Sequence, residues 1–65
     1  MKLKEARLKA GLTQGEAAQR LDVDRTTLVK WETGASSPRI QMLPRIARMY
    51  GCLIDDLFDK EEEDH

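Results

Sequence analysis

Residues 25 to 30 carry side chains that could bind nucleic acid. At about 100° per residue, a helix through this stretch places Leu28 and Trp31 on one side and four other side chains on the opposite side. Those four are Arg25, Thr26, Val29 and Lys30. Three of them can donate hydrogen bonds to base edges or phosphates, and the fourth offers an apolar contact. Ordinary surface helices are also polar on their outer side. This face alone therefore does not indicate nucleic-acid binding, and the elements around it must be considered too.

Other residues that could do chemistry are few. Cys52 is the single cysteine, which excludes an internal disulfide, and the single histidine, His65, is terminal and isolated. Neither residue has a catalytic or metal-binding partner at a suitable spacing, and no phosphate-binding glycine-rich loop is present. We therefore predict no catalytic residue, no metal site and no cofactor. Trp31 could stack on a base, but its position beside Leu28 favours core packing.

Two short helices and a tight turn are predicted to hold the face formed by residues 25 to 30. Thr13 and Glu16 have the spacing of a capping box, which predicts a helix over residues 14–21. Asp24 is a suitable N-cap residue for the next helix, over residues 25–33. The three residues between these helices must reverse the chain, as in a helix-turn-helix.

Glycine and proline divide the rest of the chain. Gly11, Gly34 and Gly51 are each expected just after the end of a helix. Pro44 is tolerated in a first helical turn, so the regular part of the fourth helix should begin near Leu43. The predicted helices cover residues 2–10, 14–21, 25–33, 42–50 and 54–58. No segment alternates with period two, and the prediction is an all-α, compact bundle of five short helices.

The predicted core is drawn from one apolar stripe of each helix. Its members are Leu3, Ala6, Leu12, Ala18, Leu21, Val23, Leu28, Trp31, Ile40, Leu43, Ile46, Ala47, Tyr50, Cys52 and Leu57. A chain of 65 residues buries a modest fraction of its surface, so a single domain over residues 1–58 with a modest stability is expected.

Charge is distributed unevenly along the chain, although its net value is −1. Residues 1–54 carry ten Lys or Arg and five Asp or Glu, a net of +5, whereas residues 55–65 carry seven acids and one Lys, a net of −6. Residues 59–65 are predicted to be a disordered acidic tail that either stays solvated or competes with DNA for the basic body. No membrane-spanning run or signal peptide is found, which predicts a cytoplasmic protein without a membrane partner.

The whole pattern resembles the helix-turn-helix of the phage Cro and cI-type repressors, the XRE family. The resemblance extends over about residues 3–58 and implies the lambda-repressor-like DNA-binding fold. It is carried by Arg7, Gly11-Leu12-Thr13-Gln14, Ala18, Leu21, Val23, Leu28, Trp31-Glu32, Gly34, Pro38, Ile46-Ala47, Gly51 and Leu57. Three residues depart from the family pattern: Ala17 replaces a larger aliphatic residue, Leu53 a polar cap, and Asp22 a glycine. Asp22 is therefore expected to take a positive φ in the turn.

The resemblance implies a role for each site residue. The third helix would enter the major groove and read bases through Arg25, Thr26, Val29 and Lys30. Phosphate contacts would come from Gln14, Thr33, Ser36, Ser37 and Arg39, although Ser36 and Ser37 are equally explained as ordinary loop residues. Arg7 and Glu32 would form a structural pair that ties the first helix to the third, the alternative being two separate surface charges.

These residues predict a sequence-specific DNA-binding transcriptional regulator of a prokaryote or phage, acting as a repressor. Its partner would be double-stranded DNA with a palindromic operator, bound by a homodimer formed through Leu53, Ile54 and Phe58. The alternative is a protein-interaction module of the same fold, such as an antitoxin-like or anti-repressor partner, without strong DNA binding. The net charge of +5 on residues 1–54 favours DNA.

Overall fold

Four α-helices and two short 3-10 turns make up residues 1–58, the part of the chain that the computed structural model describes. The α-helices are α1 (Leu3–Lys9), α2 (Gln14–Leu21), α3 (Arg25–Thr33) and α4 (Leu43–Tyr50), and the 3-10 turns cover Ile40–Met42 and Ile54–Leu57. Residues 1–58 contain no strand, in agreement with the predicted all-α class. The acidic tail predicted at residues 59–65 lies outside the described residues.

The prediction of five helices was wrong in its count. The segment expected to be a fifth helix winds as a 3-10 turn over Ile54–Leu57. The amide N–H of Phe58 donates to the carbonyl of Asp55 at 3.2 Å, which is the three-residue bond of a 3-10 turn. A segment of four residues leaves little room for the repeated four-residue bonds of an α-helix. Leu53, which precedes it, has no polar side chain to cap it, although the Asp56 carboxylate accepts from the Leu53 N–H at 3.1 Å.

The predicted helix-turn-helix is confirmed at residues 14–33. Thr13 Oγ1 accepts from the Glu16 amide N–H at 3.1 Å, and the Glu16 carboxylate accepts from the Thr13 N–H at 2.9 Å, which completes the capping box. Asp22 takes a left-handed conformation with φ of 60°, as expected for the residue that replaces glycine in the turn. Asp24 occupies the N-cap position of α3, but its side chain makes no capping hydrogen bond, contrary to prediction.

The core lies where the four α-helices meet. Its buried apolar residues are Leu3, Ala17, Ala18, Leu21, Leu28, Trp31, Leu43, Ile46, Ala47, Tyr50 and Leu57. Ala17 is completely buried, so a small residue at this position lets α2 and α3 approach closely. The half-buried Ala6, Leu12, Val23 and Cys52 pack around this centre.

Ile40 was wrongly predicted to lie in the core, because its side chain is 80% exposed. It begins the first 3-10 turn, between Pro38, which is buried, and Met42, which packs against the core. Since these two neighbours fill the inward positions, the residue halfway between them remains outside.

The first helix connects the two ends of the domain. It contacts α3, α4 and the second 3-10 turn. The amide N–H of Lys2 donates to the carbonyl of Leu57 at 2.8 Å, which fixes the start of α1 beside the end of the described chain. Among the helices of residues 1–58, none is both long enough and apolar enough to cross a membrane.

Candidate nucleic-acid interface

The four predicted base-reading residues lie on the side of α3 that faces away from the core. Arg25, Thr26 and Lys30 are exposed and Val29 is half-buried, all within one nine-residue helix. The opposite side of α3 is held by Leu28 and Trp31, which are 2% and 9% exposed. The packing of Leu28 and Trp31 therefore fixes the orientation of α3 and determines which of its side chains face the solvent.

Arg7 of α1 and Glu32 of α3 form a buried ion pair. Arg7 Nε donates to Glu32 Oε2 at 2.7 Å, and the two side chains are 8% and 3% exposed. Arg7 also donates through NH1 to the carbonyl of Leu12 at 2.9 Å and through NH2 to Glu32 Oε1 at 3.4 Å. Because each charge has several hydrogen-bond partners, the pair can be buried without an unsatisfied polar atom.

A glutamine connects this ion pair to the exposed face of α3. Gln14, the first residue of α2, donates through Nε2 to Glu32 Oε1 at 3.2 Å. Its Oε1 accepts from Arg25 NH2, also at 3.2 Å. The structure thus joins Arg7, Glu32, Gln14 and Arg25 in one chain of hydrogen bonds that runs from the core to the surface.

An open groove of about 640 Å³ lies beside this chain of hydrogen bonds. Arg7, Thr13, Gln14, Gly15 and Arg25 contribute to its walls, together with Leu8, Gly11 and Leu12. The groove contains the N-terminus of α2, where backbone N–H groups and the helix dipole favour an anion. The charge of Arg25 adds to this preference, whereas the charge of Arg7 is neutralised by Glu32.

The end of α3 and the loop after it present the remaining predicted phosphate contacts. Thr33, Ser36, Ser37 and Arg39 are all exposed. The Thr33 hydroxyl and the Ser36 amide N–H both donate to the carbonyl of Lys30, at 3.3 and 3.2 Å. These bonds fold the loop back on the end of α3, and the Ser36 and Ser37 hydroxyls remain at the surface.

A second exposed surface lies at the other end of the described chain. Leu53, Ile54 and Phe58 are 71%, 37% and 39% exposed. Leu53 and Ile54 line an open groove of about 420 Å³, whose other walls come from Pro44, Ala47, Arg48, Cys52 and Asp55. Large apolar side chains exposed together are typical of a protein-contact surface.

Two groups near the core, Tyr50 and Cys52, have raised pKa values. Burial raises the pKa of Tyr50 to about 12, and the nearby Glu32 charge acts in the same direction while Arg7 opposes it. Burial also raises the pKa of the Cys52 thiol, followed in size by the effect of the Asp56 charge. A protonated, half-buried thiol fits the apolar role predicted for Cys52. No cluster of metal-ligating side chains occurs within residues 1–58.

Three side-chain hydrogen bonds that join helices were not predicted from the sequence. The bonds of Gln14 to Glu32 and Arg25 connect residues 18 and 11 positions apart. Arg45 NH2 donates to the carbonyl of Arg20 at 3.0 Å, which ties α4 to the end of α2. Nothing in the local pattern indicates any of the three, because each depends on the distance between two helices in the folded chain.

The family model described as helix-turn-helix matches residues 3–57. A transcriptional regulator of the helix-turn-helix type from Archaeoglobus fulgidus is 38% identical over 63 residues, which cover 97% of this chain and 89% of that protein. No solved structure matches the chain.

Two further relatives carry more specific names. The transcriptional activator BcrR of Enterococcus faecalis is 38% identical over 61 residues, which cover 94% of this chain and 30% of BcrR. The phage CTXphi transcriptional repressor RstR of Vibrio cholerae is 30% identical over 61 residues, which cover 94% of this chain and 55% of RstR. These relatives belong to a non-enzymatic class, in agreement with the prediction that the chain is not an enzyme.

Proposed function

The chain belongs to the helix-turn-helix family of transcriptional regulators, and from this premise we propose that it binds a specific DNA sequence and represses transcription there. The observation that carries the proposal is the exposed face of α3, where Arg25, Thr26 and Lys30 project from a helix anchored by Leu28 and Trp31. A major groove about 12 Å wide admits one such helix.

Base reading is assigned to α3. Arg25, in its first turn, can donate two hydrogen bonds to the O6 and N7 atoms of a guanine, and Lys30 can reach the same atoms or a phosphate. Thr26 can bond a base edge, and Val29 offers its methyl groups to a thymine methyl. The N-terminal part of the helix then faces the bases, as in other helix-turn-helix proteins.

Phosphate contacts position the domain on both sides of α3. On one side, the N-terminus of α2 at Gln14 faces the open groove that also includes Arg25. Further contacts would come from Thr33, the last residue of α3, and from Ser36, Ser37 and Arg39 of the loop after it, all of which are exposed. Contacts of this kind fix register on the duplex without carrying sequence information directly.

Repression is the proposed outcome because it requires only that the operator be occupied. Among the relatives, RstR is named a repressor and BcrR an activator. A DNA-binding domain suffices to block access to a promoter, whereas activation needs an added contact with the transcription machinery. A reporter gene placed behind the bound sequence tests this choice, since expression should fall when the protein is present.

A homodimer would supply the affinity that one small domain lacks. We assign its interface to Leu53, Ile54 and Phe58, all of which are exposed. Leu53 and Ile54 also line an open groove. Two recognition helices in a symmetric dimer would read the two halves of a palindromic operator, with centres about 34–36 Å apart or a multiple of that distance.

The dimer is tested by sedimentation over a range of protein concentrations. Leu53→Asp should shift the protein to monomer, because it places a charge in the apolar contact. Leu8→Asp is the matched control, since Leu8 is 58% exposed but belongs to α1. A wild-type protein that stays monomeric at every concentration would contradict the dimer while leaving DNA binding intact.

Selection of bound sequences from a random DNA pool tests the central function. Enrichment of one palindromic sequence is expected, with half-sites separated by a helical turn or a multiple of one. Enrichment of a single, non-repeated site would retain sequence-specific binding but not the dimer. A pool that stays random would contradict the proposed function and favour an interaction module of the same fold.

A further inference from the structure

We propose that Arg48 and Asp55 select the dimer partner of this chain, by forming two ion pairs between the copies of a homodimer. The inference rests on the dimer of the proposed function and deepens it, because it names charged contacts around the apolar ones. Both residues line the open groove of about 420 Å³ beside α4, which we call the α4 groove. The occupant that we assign to this groove is a second copy of the same chain.

The α4 groove has two walls that come from different elements. One wall belongs to α4 and includes Arg48, and the other belongs to the second 3-10 turn and the residue before it, and includes Leu53 and Asp55. Leu53 is apolar but 71% exposed, so nothing within residues 1–58 covers it. Each wall therefore carries one charge, of opposite sign, beside apolar surface that a partner could bury.

The two charges of the α4 groove have no partner within residues 1–58. Arg48 and Asp55 are exposed, and their side chains form no ion pair or hydrogen bond there, either with each other or with other residues. The neighbouring charges outside the groove are engaged. Arg45 donates to a backbone carbonyl at the end of α2 at 3.0 Å, and the Asp56 carboxylate accepts from the Leu53 N–H at 3.1 Å. The charges that line the groove are thus the ones available to a second chain.

A two-fold axis would bring these opposite charges together. In a symmetric dimer both copies use the same patch, so a residue on one wall meets a residue on the other wall of the second copy, and the reverse contact follows. With Leu53 of each copy in the groove of the other, Asp55 lies opposite the partner's Arg48 twice. An acidic segment would satisfy only Arg48, and an uncharged partner would satisfy neither charge.

These ion pairs would affect the choice of partner more than the affinity. An exposed ion pair contributes little, because water solvates both charges when they are apart. Like charges that face each other across an interface cost more, and this difference lets charge discriminate between partners. Arg48 and Asp55 would therefore favour self-association over association with regulators of the same fold that carry other charges at these positions.

Charge reversal at either position tests the proposal. Arg48→Glu should raise the dissociation constant of the dimer about ten- to hundredfold, because two pairs of like charges replace the two ion pairs. Asp55→Lys should have a similar effect with the opposite sign of charge. Sedimentation of each protein over a range of concentrations, without DNA, gives the constants. Dimerisation as tight as that of the wild type in either variant would overturn the proposal.

A mixture of the two variants provides the sharpest comparison. In a pair formed by one Arg48→Glu chain and one Asp55→Lys chain, both contacts join opposite charges again. The mixed pair should therefore form with about the affinity of the wild type, at concentrations where each variant alone is monomeric. Contacts within one chain cannot produce this recovery. A mixture that associates no more than its separate components would overturn the proposal.

Lys4→Glu is the matched control for net charge. Lys4 is an exposed residue of α1 that does not line the α4 groove, and its reversal changes the net charge by the same amount as Arg48→Glu. Dimerisation should stay as in the wild type. A loss equal to that of Arg48→Glu would assign the effect to overall charge and overturn the proposal.

The wild-type protein supplies a test that does not depend on the folding of any variant. Salt screens exposed charges, so the dissociation constant of the dimer should rise a few-fold between about 0.05 and about 0.5 M salt. An interface held by apolar contacts alone would not weaken in this way. A constant that stays the same or falls over this range would overturn the ion pairs.

These measurements use no DNA, so they distinguish this inference from the proposed function. A wild-type protein that stays monomeric at every concentration would overturn the inference together with the proposed dimer. A dimer that tolerates both charge reversals would overturn the ion pairs alone. If the random DNA pool yields no preferred site, the DNA-binding proposal fails, but the mixture still decides whether Arg48 and Asp55 join two copies.

Discussion

At the scale of single residues, the buried charges of Arg7 and Glu32 are unusual in a core this small. Each charge leaves water on folding, and the attraction between the two charges, together with their hydrogen bonds to Gln14 and the Leu12 carbonyl, compensates for that loss. Replacing one partner would strand the other in the interior. The pair therefore makes folding sensitive to a substitution that would be neutral at the surface.

Arg7→Ala should destabilise the fold strongly. Breaking a buried pair costs about 3–5 kcal/mol, a large part of the total stability expected for a small domain. Lys9→Ala is the control, because Lys9 is an exposed cation on the same helix. Thermal unfolding of the two variants gives the comparison. Equal melting temperatures would show that the pair does not tie α1 to α3.

Tyr50 predicts a dependence of stability on alkaline pH. Its pKa is raised from 10 to about 12, chiefly by burial and then by the charge of Glu32. The unfolded chain therefore loses the phenolic proton first as the pH rises. The stability associated with the proton is fully present below about pH 10 and is lost as the pH rises through about 12.

Melting temperatures of the wild type and Tyr50→Phe over this pH range test the effect. The wild type should lose stability more steeply than Tyr50→Phe, which has no phenolic proton to release. Because Tyr50 is the single tyrosine, its ionisation can also be followed by absorbance in the folded protein. Parallel melting curves for the two proteins would contradict the raised pKa.

At the scale of elements, the two helices of the helix-turn-helix begin differently. The N-terminus of α2 is closed by the reciprocal bonds of Thr13 and Glu16. The N-terminus of α3 has Asp24 in the right backbone conformation but without a side-chain bond. The charge of Asp24 still suits the positive end of the helix dipole, although that effect is smaller than a formed cap.

Thr13→Ala should therefore cost more stability than Asp24→Ala. The expected loss for Thr13 is about 1 kcal/mol, the usual value for a capping hydroxyl. Asp24→Ala should cost less, because it removes only a favourable charge. Urea unfolding of both variants measures the difference. A larger loss for Asp24→Ala would mean that its side chain caps α3 in solution.

Local patterns predicted α2 and α3 to their final residues, since a capping box or a C-terminal glycine marks their ends. They failed where no local feature decides the outcome. The segment Ile54–Leu57 is apolar enough for a helix but too short to sustain one. Ile40 is as apolar as any core residue, and only the inward positions of its neighbours exclude it.

The candidate nucleic-acid interface could also be predicted only in part from the sequence. One exposed face of α3 could be predicted from helical periodicity, because Leu28 and Trp31 determine the buried side. The link from Gln14 to Arg25 could not, because it depends on the distance between the first turns of α2 and α3. Contacts between elements require their packing, which periodicity does not specify.

At the scale of the whole molecule, charge is divided between a basic body and an acidic end. Residues 1–54 carry a net charge of +5, from ten basic and five acidic residues, and residues 55–65 carry −6, from seven acidic residues and one lysine. DNA and the acidic segment would compete for the same positive field. Their competition would depend on salt, because screening shortens the range of both attractions.

Deleting residues 61–65 should strengthen DNA binding modestly at low salt and leave the melting temperature unchanged. The gain should disappear near 1 M salt, where the screening length is about 3 Å. Titrating the selected operator with both proteins over a salt series gives the comparison. Weaker binding by the shortened chain at low salt would assign these residues another role.

In the proposed mode of binding, α3 reads the sequence while the loop after it contacts the DNA backbone. Arg25 and Arg39 carry the same charge and are both exposed, but one begins α3 and the other precedes the first 3-10 turn. Two alanine substitutions that each remove one positive charge can therefore separate base reading from phosphate contact.

The decisive measurement is the binding of Arg25→Ala and Arg39→Ala to the selected operator and to scrambled DNA over a salt series. Arg25→Ala should cost about 1–3 kcal/mol on the operator and relax the choice of one base pair. Arg39→Ala should weaken both DNAs alike and reduce the salt slope by about one unit. If Arg25→Ala weakened both DNAs equally and left the base preference unchanged, α3 would not read sequence through Arg25.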